Sequence, residues 1–247
     1  MAISLSSLAS PKKRPAIVTI VAEGGMGKTT LGSMFPSPVF LRTEDGTQSI
    51  QERKDVACFP VSKSSAEVFE CIASLFTEKH EFKTLVIDSI TALNIMIEGE
   101  IVKADGKAKS INQAAGGYGA GYAAAANIHR EIREACGALS EAKGMHIVFL
   151  AHADAESVNL PDQDEYSRYT IRMNKRSVAH YSDNVDLVGF IKLRTYVSGD
   201  TEKKKAVSDG ARIITCYPVP SHISKNRFGI TQDIEFKLGE FPFKGVL

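Results

Sequence analysis

Eight consecutive residues, Ala22-Glu23-Gly24-Gly25-Met26-Gly27-Lys28-Thr29, constrain this chain more than any other stretch. An apolar run at 16–21 precedes them and Thr30-Leu31-Gly32-Ser33-Met34-Phe35 follows, so the glycines fall where a strand turns into a helix. Backbone N–H groups of such a turn, aided by the positive end of the next helix, can surround the β-phosphate of a nucleotide. In that arrangement Glu23, Gly24, Gly25, Met26, Gly27, Lys28, Thr29 and Thr30 line the phosphate site. The Lys28 ammonium reaches the β- and γ-phosphates, and the Thr29 hydroxyl holds Mg2+. One position departs from the strict G-x-x-x-x-G-K-[ST] form: Ala22 stands where the first glycine belongs. The departure is mild, because that residue closes the strand, whereas Gly25 and Gly27 stand where backbone must approach phosphate.

The 247 residues suffice for one well-buried α/β domain and are short for two, so residues 16–247 read as a single domain. Residues 1–15 are Ser-rich and end in Pro11-Lys12-Lys13-Arg14-Pro15, which reads as a flexible arm. Thirty basic against 29 acidic residues give a formal charge of +1, so any attraction to nucleic acid must come from local patches. Cys58, Cys71, Cys136 and Cys216 show no C-x-x-C spacing, which disfavours zinc and a disulfide scaffold. No apolar run approaches the length of a membrane span, and the start lacks the order of a signal peptide, so the expected location is the cytoplasm.

Further along, 38–42 reads as a second strand ending in Thr43-Glu44-Asp45-Gly46, 56–61 as a short strand and 65–78 as a helix. The almost wholly apolar run Phe82-Lys83-Thr84-Leu85-Val86-Ile87-Asp88-Ser89 has no alternation, as in a strand covered on both faces. A carboxylate closing such a strand beside a phosphate loop is placed to orient Mg2+ and its waters, which makes Asp88 the second metal candidate. The alternative is that Asp88 or Ser89 simply caps the helix predicted over 90–102.

The glycine-rich stretch 114–122 reads as mobile, 123–143 as a long helix and 145–152 as a buried strand ending at His152. Residues 153–165 look acidic and turn-like. Residues 166–181 carry Arg168, Arg172, Lys175 and Arg176 with three tyrosines and no acid. Cations interleaved with flat rings suit single-stranded nucleic acid, although a solvated charged face gives the same string. Stretches 186–197, 212–219 and 234–238 read as antiparallel strands added to the sheet.

Five strings in order, EGGMGKTTL, FLRTEDG, LVIDSITAL, VFLAH and SKNRFG, resemble the RecA-like ATPases, and more closely their small phage-encoded members, nucleotide-binding or single-strand-annealing recombination proteins. The resemblance runs from Ala16 to about Gly229. It implies an α/β fold: a RecA-like P-loop core with a central, mostly parallel sheet flanked by helices and antiparallel strands at its C-terminal end. It also implies ATP and Mg2+ as cofactors, with Glu44 polarising the attacking water. His152 stands where relatives sense the γ-phosphate, with His in place of the Gln of RecA itself. Lys225 and Arg227 resemble paired cations inserted into a neighbouring subunit's site. Residues 104–122, with Lys107 and Lys109, and residues 153–177 occupy the places of two DNA-facing loops. The implied partners are single-stranded DNA, further copies in a ring or filament, and a single-strand-binding protein. If the chain is phage-encoded, its place is the host cytoplasm.

Two other ATPase classes share parts of this pattern. Partitioning and septum-positioning ATPases carry a lysine immediately before the two glycines, where this chain has Glu23, which argues against them. A hexameric helicase motor shares the RecA core and the Lys-x-Arg pair. A third reading is a nucleotide-gated scaffold that does not hydrolyse ATP, which applies if Glu44 is only a turn residue.

Overall fold

The computed structural model describes Ser4, Leu8, Ser10 and residues 13–198 and 205–247. Most of the arm expected over residues 1–15 therefore lies outside the described residues, although Arg14 is held by Asp186 at 2.5 Å.

Alternation along each central strand decides the layering. In β1 (Ile17–Ala22), Ile17 and Val21 join one apolar cluster, while Val18, Ile20 and Ala22 join another on the opposite face. β4 (Thr84–Asp88) and the first half of β5 (His146–Leu160) divide in the same way. Both faces are thus covered, which accounts for the unbroken apolar runs in the sequence. One face carries α2 (Ser65–Thr77), α3 (Ile90–Ala104) and α4 (Ala120–Lys143), with α5 (Lys175–Ser182) packed on α4. The other carries α1 (Lys28–Ser33) and the C-terminal segment, where Phe35 meets Phe241 edge-on at 5.0 Å between centroids.

With β2 (Pro38–Arg42), β3 (Ala57–Val61), β7 (Leu187–Ser198), β8 (Lys205–Thr215) and β10 (Ile234–Phe236), the sheet runs β10-β8-β7-β1-β5-β4-β2-β3. Every pairing from β7 to β3 is parallel, and β8 and β10 add antiparallel strands. The expected α/β architecture is what the chain adopts. Among the described residues, no helix is long and apolar enough to cross a membrane.

Three expectations need correction. Residues 153–165 are not a turn: β5 continues to Leu160 and pairs antiparallel with β6 (Gln163–Ile171), forming a hairpin beyond the sheet. The stretch from Leu187 is antiparallel along one edge only, because β7 pairs antiparallel with β8 and parallel with β1, with Val18 opposite Leu187. The glycine-rich stretch is not wholly unpacked: Ala114 is fully buried and Gly121, inside α4, lies against the Ile111 carbonyl.

Candidate nucleotide site

Parallel strands end at a common edge, and register brings distinct chemistry together there. Ala22 pairs with His152, and Asp88 lies between Leu150 and Arg42. Past Ala22 the chain turns through Gly25 (φ 75°) and Gly27 (φ 90°), left-handed conformations that glycine reaches without strain. Nothing lies within 4 Å of a Cβ built at Gly24 or Gly25, so the loop backbone is open to a ligand.

Lys28 begins α1 and is buried, its Nζ donating to the carbonyl oxygens of Ala22 at 3.1 Å and Glu23 at 2.9 Å. Burial lowers its pKa, against the pull of the Asp88 and Glu44 carboxylates. Thr29 Oγ1 donates to Asp88 Oδ2 at 2.7 Å. Burial raises the Asp88 pKa against that hydrogen bond, as expected of a carboxylate short of positive charge. A Cβ at Gly46 would sit 3.8 Å from both Asp88 Oδ2 and Thr29 Oγ1, so glycine there leaves room above the two oxygens. Mg2+ binds through one or two protein oxygens, with water and phosphate oxygens supplying the rest. The hydroxyl–carboxylate pair, the buried ammonium and the open glycine loop therefore fit a nucleotide with its Mg2+.

Glu44 follows β2, and its loop is anchored by Thr43, which donates from N to Asp88 O at 2.9 Å and from Oγ1 to Ser89 O at 2.7 Å. Glu44 Oε1 accepts from Ser89 Oγ at 2.5 Å and lies 3.5 Å from His152 Nε2. The other ring nitrogen, His152 Nδ1, is 3.3 Å from Lys28 Nζ. An ammonium only donates, so Nδ1 must accept and the proton of the neutral ring sits on Nε2, facing Glu44. His152 thus links the loop lysine to the carboxylate. Glu44 is held below the usual carboxylate range, first by the His152 hydrogen bond and then, against its burial, by Ser89.

The family model described as an AAA domain, AAA_24, matches residues 14–228. The chain belongs to that family. Among solved structures it is similar to a DnaB-like replicative helicase, described with its interactions with primase, at a TM-score of 0.50 and 12% identity. The match covers 90% of this chain and 56% of the helicase chain, so the likeness is one of fold over little more than half of the longer protein. No curated protein matches the sequence. Family and phosphate loop together make this AAA domain a nucleotide-binding P-loop ATPase.

The remaining sequence candidates fall in three places. Lys225 and Arg227 are at the far end of the sheet. Short β9 (Lys225–Asn226) pairs with the start of β7, and Arg227 Nη1 lies 3.0 Å from Asp186 Oδ1, whose residue also bonds Ile17. The length of β1, about 16 Å at the rise of a strand, separates that end from the phosphate loop. Lys225 Nζ also donates to the Asp183 carbonyl.

Arg168 and Lys175 both face Glu156, at 2.8 and 3.8 Å. The hairpin itself, residues 153–171, carries five acids and one arginine, so its charge is opposite to what DNA needs. Arg176 Nη1 donates to Gly119 O at 3.2 Å, which joins α5 to the loop holding exposed Lys107 and Lys109.

Arg172, expected on a DNA loop, sits at the root of the hairpin. Its N donates to His152 O at 2.9 Å and its Nη2 to Ala153 O at 3.0 Å, and its charge contributes to lowering the Lys28 pKa. Two neighbours of the site went unnoticed in the sequence. Ser89 reads in the sequence only as a cap, and Arg212, on β8, comes within 2.9 Å of a Cβ built at Gly27. Only the pairing of β7 with β8 brings Arg212 there, and no local motif announces that.

Proposed function

We propose that this AAA domain hydrolyses ATP with Mg2+ and acts on single-stranded DNA in recombination or strand annealing, as its resemblance to phage recombination ATPases implies. The observation that carries the hydrolytic part is the linked set Lys28, His152 and Glu44 beside the Thr29–Asp88 pair. Thr29 Oγ1 and Asp88 Oδ2 would hold Mg2+, which when bound neutralises phosphate charge. Glu44 orients a water and takes its proton as the water oxygen bonds to Pγ and the bond to the β–γ bridging oxygen breaks. Lys28 stabilises the charge gathering on that bridging oxygen. A γ-phosphate competes with His152 for the Lys28 proton, so His152 registers its presence to Glu44 and, through the backbone bond to Arg172, to the hairpin.

In this proposal Lys225 and Arg227, remote from their own loop, complete the site of a neighbouring copy in a ring or filament. DNA contact falls to Lys107, Lys109, Lys175 and Arg176 at the junction of α5 with the 105–119 loop rather than to the acidic hairpin. A second reading, a helicase motor subunit, has the fold likeness to the DnaB-like helicase in its favour. Anisotropy of a labelled single-stranded oligonucleotide tests the DNA role: Arg176→Glu with Lys175→Glu should weaken binding about tenfold or more and flatten its salt dependence. Binding unchanged by both substitutions would remove that surface from the proposal. Unwinding of a forked duplex by the chain alone would favour the helicase reading.

A further inference from the structure

The chain has eleven arginines, all among the described residues. Ten have a hydrogen-bond partner within the chain. Among the described residues, Arg212 alone has no side-chain hydrogen bond or ion pair, although it is half-buried. Its location gives that isolation a meaning. Gly27 is the left-handed glycine immediately before Lys28, where backbone approaches phosphate, and a Cβ built on it would stand 2.9 Å from Arg212 Nη1 and 3.0 Å from Phe236 Cε1. Phe236 is the cross-strand partner of Arg212 and is buried, so the strand pair β8–β10 presses an unpaired guanidinium against the flank of the phosphate loop.

Sheet order gives the direction. His152, Asp88 and Glu44, which surround the γ-phosphate in the proposed mechanism, belong to β5, β4 and the end of β2, all on one side of β1. β7, β8 and β10 lie on the other. A nucleotide with its γ-phosphate at the first group runs its α-phosphate and ribose toward the second. We propose that Arg212 binds the α-phosphate of the nucleotide, its guanidinium donating to a non-bridging oxygen. A guanidinium suits this better than an ammonium because its planar fork can hold two oxygens at once. The contact is equally available to ATP and ADP, so it secures the nucleotide through the hydrolytic cycle while the Lys28–His152–Glu44 set tells the two apart. This inference rests on the nucleotide reading given above.

Calorimetric titration with ADP and with the two diastereomers of its α-phosphorothioate, for the wild type, Arg212→Gln, Arg212→Lys and Lys28→Ala, tests it. Because the side chain has no polar partner among the described residues, Arg212→Gln should leave the melting temperature of the nucleotide-free protein unchanged. It should raise the ADP dissociation constant about tenfold to a hundredfold, the scale of a lost hydrogen bond to a charged group. The wild type should prefer one diastereomer, Arg212→Gln should lose the preference, and Arg212→Lys should recover part of the affinity. Unchanged ADP binding in Arg212→Gln, or weaker binding with the diastereomer preference intact, would overturn the assignment. Wild-type protein that binds no ADP would overturn the nucleotide reading itself, and this inference with it.

Discussion

Ser89 Oγ donates to Glu44 Oε1 at 2.5 Å while accepting from Ala92 N at 3.2 Å, so one hydroxyl both aims the candidate base and caps α3. Ser89→Ala should therefore lower stability by about 1 kcal/mol through the lost cap. It should also act on chemistry. Ser89 and His152 both bond the charged form of Glu44 and hold its pKa down. Removing either bond raises that pKa, so the acidic limb of the kcat/KM profile for ATP should move to higher pH, and further for His152→Ala than for Ser89→Ala. A profile that does not move when stability falls would leave Ser89 as a helix cap alone.

Two glycines inside helices separate packing from propensity. A Cβ at Gly121, in α4, would collide with the Ile111 carbonyl oxygen, whereas Gly99 in α3 has nothing within 4 Å of the same construction. Gly121→Ala should cost about 1–3 kcal/mol of overpacking, and Gly99→Ala should gain about 0.5–1 kcal/mol by stiffening the unfolded chain. Urea denaturation of the two variants checks both signs.

His129 is buried between Tyr181, whose hydroxyl is 2.8 Å from Nδ1, and Asn94, whose Oδ1 is 3.1 Å from Nε2. Burial, with a smaller contribution from the charge of His180, lowers its pKa from 6.5 to about 4. Below the unfolded value the denatured chain takes up a proton that the folded chain refuses. Stability must therefore fall as pH drops through the window from 6.5 to about 4, by at most about 1.4 kcal/mol per pH unit from this group. His129→Gln can keep both hydrogen bonds without titrating. Its stability, measured between pH 7.5 and 4.5, should decline less steeply than that of the wild type, although half-buried His146 and buried His222 retain part of the slope.

The phosphate loop and the Asp88 strand were legible in the sequence because each is a local pattern whose chemistry is spelled by adjacent residues. The parallel core was legible for a related reason: strands covered on both faces leave apolar runs such as 85–87 with no alternation. The hairpin was hidden because a two-stranded ribbon beyond the core records no regular apolar alternation, and 153–165 is mostly acidic, polar and small residues around Pro161. The direction of β7 was not written in its residues, since parallel pairing with β1 follows from how the chain crosses the sheet. Arg212 and Gly121 derive their meaning from residues far along the chain or across a loop, Phe236 and Gly27 for one and Ile111 for the other. Such contacts exist only once the topology is set.

The central claim is that Lys28 and Glu44 work in one hydrolytic site that neighbouring copies complete on DNA. ATP turnover with Mg2+, measured over a range of protein concentrations with and without single-stranded DNA, tests it most directly, with Lys28→Ala and Glu44→Gln as comparisons. The account predicts turnover that rises more steeply than protein concentration, is stimulated by DNA and is lost in both variants, with ATP binding lost only in Lys28→Ala. Turnover strictly proportional to protein, indifferent to DNA and unaffected by Glu44→Gln would contradict it.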